Sequence, residues 1–398
     1  MDDALYLGWS RPEALKPAGP VYLSASALTR HVAILGATGS GKSTTAETII
    51  KGLAAKGIST VVLDRTGEHA RALSSLGCVK VYRPGDNLAM ALFRYDGATS
   101  VGSQIEGWVG LLDHYMAVTY KSQISPLQSR VLRGVLGQYY NGTHDALTIS
   151  KLIAKLEAYE QKVWRISGWE ESIEAVVSRL VPLTVDIVGK TFDQPYSTLE
   201  LDALFQGSVS IFDMSAIEED GGKNLLSQMV LKRLYQAMRS GDPVEGVKLV
   251  LILDEAQHMA PYGDYISVPE RCALELRKYG FSLVTIATRP SLISPNILSN
   301  CGTIISHLLV NDHDIEALAG YLLDGAANPA VRHTLRTLSP GWAVVQSNYP
   351  TPERPQVCAI GRKALAQAET GTALPRGRIA SSAPSGTRPQ EPILPAER

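Results

Sequence analysis

Cysteine is scarce in this chain of 398 residues. Cys78, Cys272, Cys301 and Cys358 stand far apart and form no C-x-x-C pair. That spacing argues against a disulfide framework or a zinc site and suits a reducing cytoplasm. Net charge is scarce as well: charged residues make up 19% and sum to −1. No global positive field exists to collect a polyanion, so any grip on nucleic acid must come from local basic loops. Long apolar runs are missing. None approaches the ~20 residues that span a bilayer. Met1 to Leu5 show no basic n-region before an apolar core, which argues against a signal peptide. What remains is ordinary for a globular protein, with 45% hydrophobic residues and length for one large domain or two ordinary ones.

The most informative stretch is Gly36-Ala37-Thr38-Gly39-Ser40-Gly41-Lys42-Ser43, which reads G-x-x-x-x-G-K-[ST]. A β-rich run, His31 to Leu35, enters it, and a helix-compatible run, Thr44 to Lys56, leaves it. Glycines let the backbone curl so that its N–H groups face phosphate oxygens, and the following helix adds its positive end. Lys42 is placed to reach the β/γ-phosphates and the Ser43 hydroxyl to bind Mg²⁺, with Thr44 opening the helix. The expected cofactors are ATP and Mg²⁺.

Between Val21 and Pro84 the pattern alternates strand and helix, with strands at Val32–Leu35, Ser59–Leu63 and Val79–Tyr82. This is the rhythm of a parallel sheet. From about Ser100 to Leu183 apolar residues recur at helical spacing and strand-like runs vanish. The α/β pattern resumes at Ser208–Phe212. A helix follows over Leu225 to Met238, then strands at Leu249–Leu253, Leu283–Ala287, Thr303–Leu309, Ala343–Gln346 and Gln356–Ile360. The expected organisation is a first part of an α/β core at 1–99, a helical insertion at 100–190, the second part of the core at 191–365, and a disordered tail at 366–398.

Lys248 to Leu253 is apolar enough for a strand buried on both faces, and it ends in Asp254-Glu255. Carboxylates at that edge lie where open α/β sheets bind ligands. Asp254 is expected to hold Mg²⁺ with Ser43, and Glu255 to act as general base on the attacking water. The next strand ends in Thr288-Arg289-Pro290-Ser291, where Thr288 and Arg289 suit contact with the γ-phosphate or the water; an ordinary strand end before a proline turn is the alternative. Asp64-Arg-Thr-Gly67-Glu68 offers acids at the same edge, or a solvated turn. Arg277, in Glu275-Leu-Arg277-Lys278-Tyr279-Gly280, is either an arginine finger for a neighbouring subunit or a helix-end cation.

Together these stretches resemble the HerA–FtsK superfamily of DNA-pumping ATPases, and within it the HerA-like branch. The resemblance lies in Leu28-Thr-Arg-His31 through Ser43, Leu63 to Glu68, Leu253-Asp-Glu-Ala-Gln-His258, Leu276-Arg-Lys-Tyr-Gly280, Ala287-Thr-Arg-Pro-Ser291 and Ile297-Leu-Ser-Asn300. It implies a RecA-like fold with a mainly parallel sheet, a homohexameric ring and ATP hydrolysis at subunit interfaces. It further implies DNA, double-stranded by first expectation, in a central pore, and a nuclease or defence effector as partner. Arg277 matches the position associated with a trans-acting arginine. Two departures stand out. The family usually has Gln where Thr288 stands, and its N-terminal β-barrel finds no room before residue 36. Candidate DNA-contacting loops are Pro261–Tyr265 and Glu218–Lys223, with plain surface loops as the alternative. A cytoplasmic DNA motor is the leading expectation. A conjugation or virus-packaging motor, or a slow ATP-controlled assembly module, are the others.

Overall fold

The computed structural model describes residues 4–11, 19–95, 97, 99–159, 167–261, 267–323, 329–349 and 353–361. The proposed disordered tail and Tyr262 to Tyr265 lie outside them. Eleven strands form one sheet: β1 (Leu5–Ser10), β2 (Pro20–Leu23), β3 (Val32–Leu35), β4 (Ser59–Asp64), β5 (Val79–Tyr82), β6 (Val209–Asp213), β7 (Leu249–Leu253), β8 (Phe281–Ala287), β9 (Thr303–Ser306), β10 (Trp342–Ser347) and β11 (Gln356–Ile360). Their order is β2-β1-β11-β10-β9-β3-β8-β7-β4-β6-β5. From β9 to β5 every pairing is parallel, and from β9 to β2 every pairing is antiparallel.

The α/β expectation therefore holds, with additions at one edge. β1 and β2 were not expected; they pair with each other, and β1 pairs with β11. The expected strand over Thr303–Leu309 stops at Ser306, because the next residues turn to back the glycine-rich loop. The expected loop at Glu218–Lys223 is mostly the first turn of the helix Asp220–Arg239.

Period-2 alternation sends neighbouring side chains of the strands to opposite layers. Ala33, Leu35, Leu63, Leu251 and Leu253 join one core with the helices Val101–Tyr120, Pro126–Tyr140 and Asp220–Arg239. Val32, Ile34, Val62, Val250 and Ile252 join the other, under the helix Lys42–Ala55. Both faces are covered, which explains the nearly continuous apolar runs of β3, β7 and β8. The helices between β5 and β6 share the first of these cores with the sheet.

Candidate nucleotide site

All parallel strands point their C-terminal ends to one edge, and the candidate residues gather there. At the end of β3 the chain enters the loop at Gly36, with φ +149 and its N–H on Ala287 of β8. A Cβ at Gly36 would lie 2.7 Å from the Cβ of His307, so the close approach of the loop and the residue after β9 demands glycine. Gly41 has φ +118 and caps the helix Lys42–Ala55. Ser40 Oγ donates to the Ala37 carbonyl at 2.6 Å, and Lys42 Nζ reaches the same carbonyl at 3.1 Å. Thr38 and Gly39 are exposed at the crest and Thr44 on the helix.

The outer wall of the loop comes from the far end of the chain. Ala37 N–H donates to Leu308 O at 2.7 Å, and Gly341 N–H to Ser40 O at 2.9 Å. His307 lies beneath, fully buried. Its Nδ1 donates to Trp342 O at 3.0 Å and its Nε2 accepts from Thr45 Oγ1 at 2.8 Å. Burial pushes its pKa down to about 4, so the ring is neutral near pH 7 and Nε2, without a proton, is the acceptor. Sequence reading missed His307, since an isolated histidine after a strand carries no spacing signal.

The Asp64–Glu68 segment divides its work. Asp64 is buried and accepts from the N–H groups of Gly67 at 2.8 Å and Ala70 at 2.9 Å, so it shapes the turn. Glu68 instead accepts from Ser43 Oγ at 2.9 Å. Arg65 is buried, with its guanidinium on Asn224 at 2.6 Å and Asp220 at 2.5 Å. Lys223 donates to the Arg65 carbonyl at 3.2 Å, so its ammonium is already engaged.

Asp254 and Glu255 follow β7, which is separated from β3 by β8. Thr288, at the end of β8, thus falls between the acids and the loop. Burial pushes the Asp254 carboxyl up to about 6, His69 opposes this, and the neighbouring Glu255 and Asp64 add to it. Burial lowers the Lys42 ammonium, and Glu255, Asp254 and Glu68 pull it back. A buried acid beside further carboxylates is a donor set that gains from a hard divalent cation. Among the described residues no group of three or more side chains forms a closed metal cage.

Glu255 occupies the left-handed region at φ +49, ψ +50, a strained state for a non-glycine residue. Its Oε2 accepts from Gln257 Nε2 and from Thr288 Oγ1, the latter at 3.4 Å. Arg289 is half exposed and pairs with buried Asp314 at 3.7 Å. Arg277 is exposed in the turn Arg277–Tyr279 before β8. Since β3 and β8 are parallel with Val32 opposite Val284, Arg277 lies at the opposite edge of the sheet from Lys42. There it lines a polar cleft with Arg30, His31, Asn300 and Tyr349.

The family described as "Helicase HerA, central domain" matches residues 14–234, more than half of the 398. The chain is 24% identical over 337 residues to a DNA double-strand break repair helicase HerA of Sulfurisphaera tokodaii, covering 82% of this chain and 64% of the relative. A helicase of the same name from Pyrococcus furiosus is 23% identical over 354 residues, covering 75% and 60%. The chain thus spans less than two thirds of these relatives. Among solved structures, VirB4 of Thermoanaerobacter pseudethanolicus superposes with a TM-score of 0.69 at 16% identity, covering 91% of this chain and 97% of VirB4. The plasmid coupling protein TrwB with ADP and Mg²⁺ gives 0.59 at 12% identity, covering 86% and 88%. No helix among the described residues is long and apolar enough to cross a membrane. The matched span holds the glycine-rich loop Gly36–Ser43, and this chain belongs to the family of the HerA helicase central domain.

Proposed function

We propose that the protein hydrolyses Mg-ATP and uses it to move DNA, double-stranded by preference, through a homohexameric ring in the cytoplasm. The observation that carries the ring is the separation of Lys42 and Arg277 to opposite edges of one sheet. A cation at the far edge cannot serve its own subunit's phosphates, but it faces outward where a neighbour's would arrive. The relatives named as DNA repair helicases support DNA as the cargo.

In this reading the loop N–H groups, Lys42 and the helix Lys42–Ala55 bind the phosphates. Ser43 and Asp254 would hold Mg²⁺, which offsets phosphate charge when bound. Glu255 takes a proton from water as its oxygen bonds to the γ-phosphorus, while the bond to the β–γ bridging oxygen breaks and ADP departs with the electron pair. Arg277 stabilises the charge on a neighbour's γ-phosphate, and Arg289, once released from Asp314, serves the γ-phosphate bound by its own subunit. The helices at 100–190 form an insertion into a core at 1–99 and 191–365, and a nuclease or other effector takes up the output.

The test is ATP turnover with and without double-stranded DNA across salt concentrations, alongside native mass spectrometry. Stimulation by DNA and a six-subunit species with nucleotide are expected. A flat response without a ring would overturn the motor and favour an ATP-controlled assembly module.

A further inference from the structure

One half-buried side chain at this edge has no part in the mechanism just given. Gln257 lies in the short turn Ala256–His258 that follows the acidic pair. Its Nε2 donates to Glu255 Oε2 and, at 3.1 Å, to Thr288 Oγ1. The Thr288 hydroxyl in turn donates to the same Glu255 oxygen. Side chains from the ends of two adjacent strands, β7 and β8, thus close a triangle on one carboxylate oxygen. The other half of the amide is unsatisfied: Gln257 Oε1 is buried and has no hydrogen-bond partner among the described residues. A buried carbonyl left in that state is unfavourable unless water or a ligand supplies the donor. The left-handed backbone at Glu255 brings the two side chains, two residues apart, onto one another, so strain and orphaned oxygen fall on the same turn.

We propose that Gln257 is a further catalytic residue of ATP hydrolysis. Nε2 fixes the Glu255 carboxylate against Thr288, and Oε1 accepts one O–H of the attacking water while Glu255 takes the other proton. The water oxygen bonds to the γ-phosphorus, the bond to the bridging oxygen breaks, and its electron pair leaves with ADP. Thr288, too short to span from the strand end alone, is extended by the amide it holds. The inference rests on the ATPase reading.

The experiment compares Gln257→Ala, Gln257→Glu and Gln257→Ala/Thr288→Gln with wild type and Glu255→Gln, reading kcat and KM for ATP and Kd for a fluorescent ATP analogue. Gln257→Ala should lower kcat about 10²-fold, the cost of misplacing a reacting group, with KM and Kd changed by less than about threefold. Gln257→Glu, similar in size, should lose turnover too and serves if the alanine variant fails to fold. Thr288→Gln in the Gln257→Ala background should regain at least tenfold, because a carboxamide at 288 starts beside the place vacated. Wild-type kcat in Gln257→Ala beside an inactive Glu255→Gln overturns the proposal and leaves the ATPase reading standing. Absence of turnover in wild type overturns both. A fall in kcat matched by weakened binding, without rescue, marks Gln257 as structural and overturns the proposal.

Discussion

Ser43 Oγ donates its proton to Glu68 Oε2 across 2.9 Å, which ties the end of the glycine-rich loop to the turn after β4. The donated proton leaves the lone pairs of the hydroxyl directed elsewhere, as a cation ligand requires. Glu68→Ala should therefore raise the Mg²⁺ concentration for half-maximal turnover about tenfold, the usual loss when the partner of a metal ligand is removed. Nucleotide binding measured in EDTA should not change. An unaltered Mg²⁺ titration would assign Glu68 to the surface.

Lys42 is buried at the loop, where Glu255, Asp254 and Glu68 act on its charge. Lys42→Ala should abolish binding of a fluorescent ATP analogue. Glu255→Gln should retain that binding and lose about 10²–10⁴-fold in turnover, the range for a general base. Normal turnover in the second variant would remove Glu255 from the role.

Arg277 is separated from its own Lys42 by the length of the sheet. Arg277→Ala should bind ATP as wild type does and lose about 10³-fold or more in hydrolysis, as for arginine fingers supplied in trans. Mixing it with Glu255→Gln subunits should restore activity at interfaces where an intact Glu255 meets an intact Arg277. Mixtures that stay inactive at every ratio would return Arg277 to the role of a helix-end cation.

Two buried groups near the loop oppose each other in acid. Asp254 titrates at about 6 in the folded chain against an ordinary 3.8, so its contribution to stability is full below about 3.8 and is lost as pH rises to about 6. His307 titrates at about 4 against 6.5, so the unfolded chain takes up its proton first and stability falls as pH drops from 6.5 to 4. His31, also lowered by burial, adds to the second effect. Each of the two larger shifts corresponds to something on the order of 3 kcal/mol. Relative to wild type, Asp254→Asn should lose stability more steeply on acidification from pH 6.5 to 4, and His307→Gln less steeply, by urea denaturation at each pH. Identical slopes in all three proteins would contradict the burial of both groups.

The strands that carry chemistry were legible because their signals are local. β3 and β7 fall at the expected residues, since a buried parallel strand shows as a short apolar run between turn residues, and so do the edge strand β5 and the antiparallel β11. β1 and β2 escaped: the second has only four residues with alternating burial and pairs with β1, which itself depends on pairing with β11, some 350 residues away. In the site, the loop and the acidic pair declared themselves by spacing. The split between Asp64, which shapes its turn, and Glu68, which touches Ser43, did not, because both are acids in one short segment. Gln257 was invisible for a different reason. Its place beside Glu255 and Thr288 follows from one left-handed backbone angle, which no periodicity encodes.

The walls around the glycine-rich loop also bear on how this chain can be divided. In the sheet, β3 lies between β8 and β9, and the loop is backed by Leu308 and Gly341. All four partners fall after residue 234, where the family match stops. A fragment cut to the matched span would keep every letter of G-x-x-x-x-G-K-S and leave β3 with two bare edges. The phosphate cradle is thus a product of chain closure, assembled only once the last third of the protein has folded back across the first. Expression fragments, tags and domain swaps must respect that wrap.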